Sequence, residues 1–160
     1  MPTKMNYWLL KSEPDVFSID HLKAMPKKTD HWDGIRNYQA RNFMRDGMKK
    51  GELAFFYHSN CDEPGIVGIA KIVREAYPDH TAFDPESNYF DAKSDPDNPR
   101  WLMVDVKYQK KFKTSVSLKA LKAEPRLTEM VVVQKGSRLS ITPVNEHDWQ
   151  VVLEMAGEKV

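Results

Sequence analysis

The sequence of 160 residues is poor in cysteine, in glycine and in uninterrupted apolar stretches. Its one cysteine, Cys61, excludes an intramolecular disulfide and a zinc site built on several thiolates, and it indicates a reducing compartment. The seven glycines form no phosphate-binding or dinucleotide-binding pattern. The apolar run from Tyr7 to Leu10 is too short for a signal peptide or a membrane span. We therefore expect a cytoplasmic protein, or a nuclear one in a eukaryote, that has no membrane partner.

Neither sign of charge predominates, because 24 Lys and Arg residues face 23 Asp and Glu residues for a net charge of +1. A non-specific binder of polyanions usually carries a much larger basic excess. A locally basic face is still compatible with these numbers. Chain length and a hydrophobic content of 41% predict a single globular domain over residues 1–160, and we expect a monomer.

Metal and cofactor patterns are missing as well. The five histidines are scattered, without the paired spacing that metal sites use. The acidic segment at 91–96 lacks the glycine and the terminal glutamate of a calcium loop. We expect no metal and no cofactor.

Five segments carry strand signals, namely β-branched or aromatic residues in period-two alternation between turn residues. They are residues 7–10, 53–57, 66–74, 101–108 and 139–144. Three predicted helix starts have the same sequence pattern. An apolar residue is followed by a capping residue, and another apolar residue stands at the fourth position of the helix. The three caps are Ser18, Ser117 and Asn145, and the last helix is predicted to end near Gly157.

A fourth helix is predicted over residues 37–48, with Ala40, Phe43, Met44 and Met48 facing inward, while residues 127–135 suit a helix or a strand. Strands and helices at such irregular intervals do not repeat a βαβ unit. We predict an α+β fold, a curved and mostly antiparallel sheet or small barrel with peripheral helices. The segment 77–99, rich in proline and aspartate, is predicted to be a long surface excursion.

Polar and aromatic residues concentrate at four junctions between elements. These are KSEP at 11–14, WDGIRNYQARN at 32–42, YHSN at 57–60 and GSRLSI at 136–141. Strand ends and helix starts of a small barrel meet at its mouth, where a pocket forms. Trp and Tyr can stack on a base, Asn and Ser can bond its edge, and Arg and Lys can hold phosphates.

Each residue also has a plain structural interpretation. Trp8 and Trp32 suit a core, Asp33-Gly34 is a turn, and His58 suits a structural histidine. The arginines at 36, 41 and 45 suit a solvated helix face. An enzyme built on His58, Cys61 and Asp62 is weaker still, since no third group and no oxyanion motif accompany them.

These four segments, together with NYFDAKS at 88–94, closely resemble the EVE domain family in order along residues 6–155. The resemblance implies a PUA-like barrel and a pocket for a modified base, such as 5-methylcytosine in DNA or a modified RNA base, extruded from its helix. It implies a binding protein and no catalysis. An enzyme acting on a modified nucleoside, or a protein-interaction module using the 77–99 segment, stays open as an alternative.

The base-pocket residues that the resemblance implies are Lys11, Ser12, Trp32, Asn37, Tyr38, Tyr57, His58, Ser59, Tyr89, Arg138 and Ser140. Two further residues, Arg36 and Arg41, correspond to phosphate contacts. Tyr89 lies in the long excursion and is expected to close over the pocket.

Overall fold

The computed structural model describes residues 6–128, 130–134 and 139–158. Within these residues the strands are β1 (Tyr7–Ser12), β2 (Thr29–Trp32), β3 (Leu53–His58), β4 (Gly65–Pro78), β5 (Leu102–Ser117) and β6 (Ile141–Val144). The α-helices are α1 (Pro14–Phe17), α2 (Ile19–Ala24), α3 (Tyr38–Asn42), α4 (Leu118–Ala123) and α5 (Glu146–Ala156). Among the described residues, no helix is long and apolar enough to cross a membrane.

The six strands form one sheet in the order β2-β5-β4-β3-β1-β6. Only β1 and β3 run parallel, and the other neighbouring strands are antiparallel. The predicted mixed fold with a mostly antiparallel sheet is therefore confirmed. Closure into a barrel is not seen in the described part of the chain, because the short edge strands β2 and β6 do not pair with each other.

Strands β4 and β5 are longer than their sequence signals. Their pairing contains several register shifts, and such bulges bend a strand without ending it. Gly68 in β4 allows a close approach, since a Cβ there would lie 2.2 Å from both the Ile19 side chain and the Lys110 carbonyl oxygen. The alternation of apolar and polar residues therefore predicts only the regular part of each of these two strands.

The three predicted helix caps are confirmed. Ser18 accepts a hydrogen bond from the backbone N–H of His21, and Ser117 accepts one from that of Ala120. Asn145 caps α5 in the same way, and Gly157 ends that helix with a φ of 68°. These local bonds satisfy backbone groups that a helix end leaves open.

Two other segments differ from their predictions. The predicted helix over 37–48 divides into α3 and a π-helical turn at Phe43–Gly47, although Ala40, Met44 and Met48 are buried as expected. The described part of residues 127–135 forms a 3-10 turn, Val131–Val133, after another at Pro125–Leu127. The polar strand β2 and the short helix α1 carried no recognised signal.

Hydrophobic side chains form one core on each face of the sheet. In the first, Trp149 of α5 stacks on Tyr7 and Phe55, with ring centroids 4.4 and 3.9 Å apart. The second contains Trp8 and Trp32. Trp8 confirms its interpretation as a core aromatic, because it is buried and its indole N–H donates to Glu52. The second core forms the floor of the pocket.

Candidate functional site

A pocket of about 340 Å³ opens where β1 and β2 end, and its volume lies in the range of small-ligand sites. Helix α1 and the long segment after β4 complete its walls. Five residues predicted for the base pocket line it: Lys11, Ser12, Trp32, Tyr89 and Ser140. The structure thus brings together residues from three of the four sequence segments and from the long excursion.

One wall is aromatic. Trp32 is 7% exposed and meets Phe17 and Phe56 edge to face, with ring centroids 6.2 and 5.4 Å apart. Its indole N–H has no hydrogen-bond partner among the described residues. Trp32 therefore belongs to the core and to the pocket together.

The pocket lining also carries polar groups from β1. The backbone N–H of Lys11 donates to the Ser140 carbonyl at 2.8 Å, which joins two lining segments. Burial lowers the pKa of the Lys11 ammonium group, and that group lies 5.9 Å from the centre of the Tyr57 ring. The Ser12 hydroxyl donates to the Phe17 carbonyl at 2.6 Å. Lys11 thus contributes a cation with no acidic partner among the described residues.

An acidic group, Asp33, also lines the pocket. Burial raises the pKa of the Asp33 carboxyl, while the nearby His31 opposes that shift. The His31 ring is placed between two carboxylates, at 3.3 Å from Asp30 and 3.7 Å from Asp33. Asp33 is therefore a half-buried carboxyl group that holds its proton more tightly than a free one.

Tyr89 forms the rim and lies against the backbone of Gly34. A Cβ at Gly34 would lie 2.7 Å from the Tyr89 ring, and the φ of Gly34 is 77°, a region that disfavours side chains. Glycine is thus required at this turn for two reasons. Its backbone conformation disfavours a side chain, and a Cβ would displace the Tyr89 ring.

Arg36, predicted as a phosphate contact, fastens the rim from within. It donates to the Tyr89 carbonyl and pairs with the fully buried Asp79 at 3.1 Å. Burial alone would raise the pKa of Asp79, but hydrogen bonds from Thr81, Gly34 and Arg36 outweigh burial and hold that pKa below its usual value. The guanidinium group is therefore committed to holding residues 79–89.

Three other predicted residues lie outside the pocket lining. Asn37 caps α3 by accepting the Ala40 N–H at 3.0 Å. Tyr38 is 52% exposed and stacks on Trp101. Arg41, the second predicted phosphate contact, lies over the Tyr38 ring and donates to the Arg100 carbonyl at 3.1 Å.

The end of β3 also lies outside the lining. Tyr57 is buried in the core beneath α5, and burial raises its pKa to about 12. His58 accepts the backbone N–H of Ile19 at 3.1 Å, and burial lowers the pKa of its imidazole. The Ser59 backbone N–H donates to the Ser12 carbonyl at 2.9 Å. These residues position β1 and α2.

Arg138 lies outside the described residues. The lining also includes residues that sequence reasoning did not select: Glu13, Val16, Phe17, His31, Asp33, Gly34 and Ile35. Asp33 stood in a recognised segment and was interpreted only as part of a turn. Among the described residues, no group of three or more His, Cys, Asp and Glu side chains could hold a metal ion.

Comparison with known proteins supports a family assignment. The EVE domain model matches residues 6–155. Thymocyte nuclear protein 1 of Homo sapiens is 47% identical over 167 residues, which cover 94% of this chain and 73% of that protein. The protein of the same name from Gallus gallus is 46% identical over 169 residues, 96% of this chain and 69% of that protein.

Solved structures agree. A Pseudomonas putida protein superposes with a TM-score of 0.90 at 51% identity, covering 94% of this chain and 99% of that one. The human THYN1 protein, crystallised in complex with 5-methylcytosine containing DNA, has a TM-score of 0.90 at 46% identity, covering 97% of this chain and 99% of that one. The chain therefore belongs to the EVE domain family.

Proposed function

We propose that this protein is a non-catalytic reader that binds a 5-methylcytosine-like base of DNA in the pocket between Trp32 and Tyr89. One observation carries the proposal: the pocket lining combines aromatic side chains, Phe17, Trp32 and Tyr89, with charged and hydrogen-bonding ones such as Lys11 and Asp33. A nucleobase requires both, a flat apolar contact for its faces and polar partners for its edge. Similarity to a human protein that was crystallised with 5-methylcytosine containing DNA supports the choice of ligand.

The polar groups suit the edge of cytosine. Its exocyclic amine is a donor, and a carboxylate such as Asp33 accepts from that group. Thymine has a carbonyl oxygen at the same place, which an ionised Asp33 repels. We propose the Lys11 ammonium group and the Trp32 indole N–H as the donors to the acceptor atoms of cytosine. This arrangement favours cytosine and its derivatives over thymine.

Access to the pocket supports extrusion of the base. Trp32 is 7% exposed and recessed, so a base that is stacked inside a duplex cannot reach it. Extrusion costs a few kcal/mol, and each base stacked on an aromatic ring recovers roughly 1 to 3 kcal/mol. The edge hydrogen bonds contribute the rest.

Of the three residues that suggested catalysis, His58 is engaged elsewhere, because its Nε2 accepts the Ile19 N–H. That nitrogen is therefore not free to act as a general base toward Cys61. Binding without turnover is the better account. The proposal includes a monomeric state. It also includes a nuclear location in a eukaryotic cell, because the names of the human and chicken relatives call those proteins nuclear.

Titration of fluorescent oligonucleotides tests the proposal, with 5-methylcytosine or cytosine at one position of the same DNA duplex. We expect tighter binding of the modified duplex. Tyr89→Ala should weaken that binding about 5- to 150-fold, equivalent to roughly 1 to 3 kcal/mol per stacked base. Tyr38→Ala, at an exposed tyrosine outside the lining, is the matched control and should change little.

Equal affinity for the two duplexes would overturn the reader proposal. Tighter binding of an RNA that carries the same modified base would contradict the choice of DNA. Conversion of the modified nucleoside during incubation, followed by mass spectrometry, would contradict the absence of catalysis.

A further inference from the structure

The arginines that the structure describes are occupied by contacts within the protein. Arg36 pairs with Asp79, and Arg41 donates to Asn42 and to the Arg100 carbonyl. The others are held as well, Arg45 by Asp46, Arg74 by the Tyr77 ring, Arg100 by Asp91 and Arg126 by Glu124. Lysine side chains are the other source of positive charge, among the described residues, for a DNA strand that enters the pocket.

Two lysines converge on one aromatic ring at the far end of α2. The Lys23 and Lys28 ammonium groups lie 5.7 and 5.8 Å from the centre of the Tyr108 ring. Both lysines are exposed, and Tyr108 is half-buried. Within residues 6–128, 130–134 and 139–158, neither lysine has an acidic partner at ion-pair distance. We call Lys23, Lys28 and Tyr108 the basic surface.

The charge of Asp20 interacts with that of Lys23, but Asp20 is paired with another lysine. Asp20 pairs with Lys111 at 2.9 Å, and the hydrogen bond from Lys111 is the main cause that lowers the pKa of Asp20. Both ammonium groups lie within 6 Å of the centre of one ring, so an anion bound there would interact with two positive charges.

The backbone holds Lys28 in this position. Lys27 and Lys28 both have positive φ angles, 57° and 56°, which cost non-glycine residues free energy. A hydrogen bond from the Lys28 N–H to the Met25 carbonyl at 2.7 Å closes the turn. The turn therefore directs Lys28 toward Tyr108 in spite of its conformational cost.

The basic surface lies within reach of DNA bound at the pocket. Lys28 directly precedes β2, and the other end of β2 is the pocket residue Trp32. Four steps along the chain, from residue 28 to residue 32, span about 13 Å at about 3.3 Å each. Because one DNA strand rises about 3.4 Å per nucleotide, this distance corresponds to about four nucleotides.

We propose that Lys23, Lys28 and Tyr108 bind the phosphate backbone of the strand whose base enters the pocket, about four nucleotides away. The identity of the polymer rests on the proposed function. Ammonium groups bind phosphates without reading sequence, so the basic surface strengthens binding of modified and unmodified DNA alike. The exposed part of the Tyr108 ring lies beside the bound sugar-phosphate chain.

The salt dependence of binding tests this proposal. The probe is an unmodified DNA duplex, titrated by fluorescence anisotropy between 50 and 300 mM salt (about 0.05 to 0.3 M). For K23Q/K28Q, we expect the slope of log K against log salt to become shallower by about 2, and affinity to fall by an order of magnitude or more near 0.1 M salt. The control K119Q/K122Q removes two exposed lysines of α4 and should leave the slope unchanged.

K23R/K28R retains both charges and should retain the original slope. An unchanged slope for K23Q/K28Q, or an equal loss for the α4 control, would overturn the basic surface as a phosphate site. This readout differs from the preference for 5-methylcytosine. A protein without that preference but with a shallower slope in K23Q/K28Q would refute the reader proposal alone. If K23Q/K28Q lost binding to anionic lipid vesicles but kept its binding to DNA, the ligand would be a membrane and the DNA assignment would be contradicted.

Discussion

Trp32 shows that one side chain can serve packing and binding together. It is 7% exposed, contacts Phe17 and Phe56, and also lines the pocket. Trp32→Ala would remove core contacts, at a cost of about 3 to 5 kcal/mol, whatever the ligand. Tyr89 is the better probe because it is 40% exposed and its loss leaves the core intact.

Asp33 provides a prediction at the residue scale. Because burial raises its pKa in the folded state, the folded protein binds this proton more tightly than the unfolded chain does. Stability therefore decreases as pH rises from the usual value of 3.8 through the raised value, and the penalty is constant above it. Asp33→Asn, which resembles the protonated form, should raise the unfolding midpoint at neutral pH and leave it unchanged below the usual pKa.

Differential scanning calorimetry between pH 3 and 8 (about one unit below the usual pKa to well above it) measures this difference. Asp62→Asn replaces an exposed carboxyl between β3 and β4 and serves as the control. A neutral-pH midpoint lower than that of the wild type would contradict the burial argument.

The long segment that follows β4 is attached to the turn after β2 through the Asp79 side chain. The predicted surface excursion is anchored, because fully buried Asp79 bonds Gly34, Arg36 and Thr81. Through Arg36 it also holds the Tyr89 carbonyl. The rim of the pocket is therefore fixed by Asp79, a residue that is not itself part of the pocket lining.

Removal of the Asp79 carboxyl should release this segment. Breaking a buried ion pair by deleting one partner costs about 3 to 5 kcal/mol, since the other charge loses its compensation. In Asp79→Ala we expect faster hydrogen–deuterium exchange over residues 79–91 and weaker binding of 5-methylcytosine DNA. The lowered pKa of Asp79 adds a pH signature: its stabilisation is present above the usual value of 3.8 and is lost as pH falls through the lowered value.

Glu86→Ala changes an exposed acid of the same segment and should leave exchange unchanged. Protection of residues 79–91 that survives Asp79→Ala would show that other contacts hold the rim.

The whole molecule is organised by a sheet with a core on each face. Neighbouring residues of β1 and β3 point alternately into the two cores. Leu9 and Phe55 belong to the first core, which contains Trp149 of α5, while Leu10 and Phe56 belong to the second core, below the pocket. Loss of packing in one core therefore weakens strands that also support the other core, and we expect the two cores to unfold cooperatively.

Trp149→Ala tests this coupling from the side remote from the pocket. It removes a ring stacked on Tyr7 and Phe55 and should lower the free energy of unfolding by about 3 to 5 kcal/mol. Urea denaturation followed by circular dichroism and by chemical labelling of Cys61 should give coincident single transitions. Val16→Ala, at a side chain 66% exposed, should be nearly neutral. Two separate transitions would contradict the coupling.

Short-range signals in the sequence determined the helix caps at Ser18, Ser117 and Asn145, because each cap bonds a backbone group three residues away. Period-two alternation likewise located the central strands. The family resemblance selected the region of the pocket and residues such as Trp32 and Tyr89, whose individual roles stay predictions.

Only tertiary structure decided which side chains are free to bind a ligand. Arg36 meets the Tyr89 carbonyl 53 positions along the chain, and no local pattern announces that bond. Asp33 becomes part of the pocket only when its turn is buried beside β1, and the sheet is open because its edge strands do not meet. Local hydrogen bonds and hydrophobic periodicity depend on near neighbours, whereas burial, pairing of charges and pocket shape depend on residues that folding brings together.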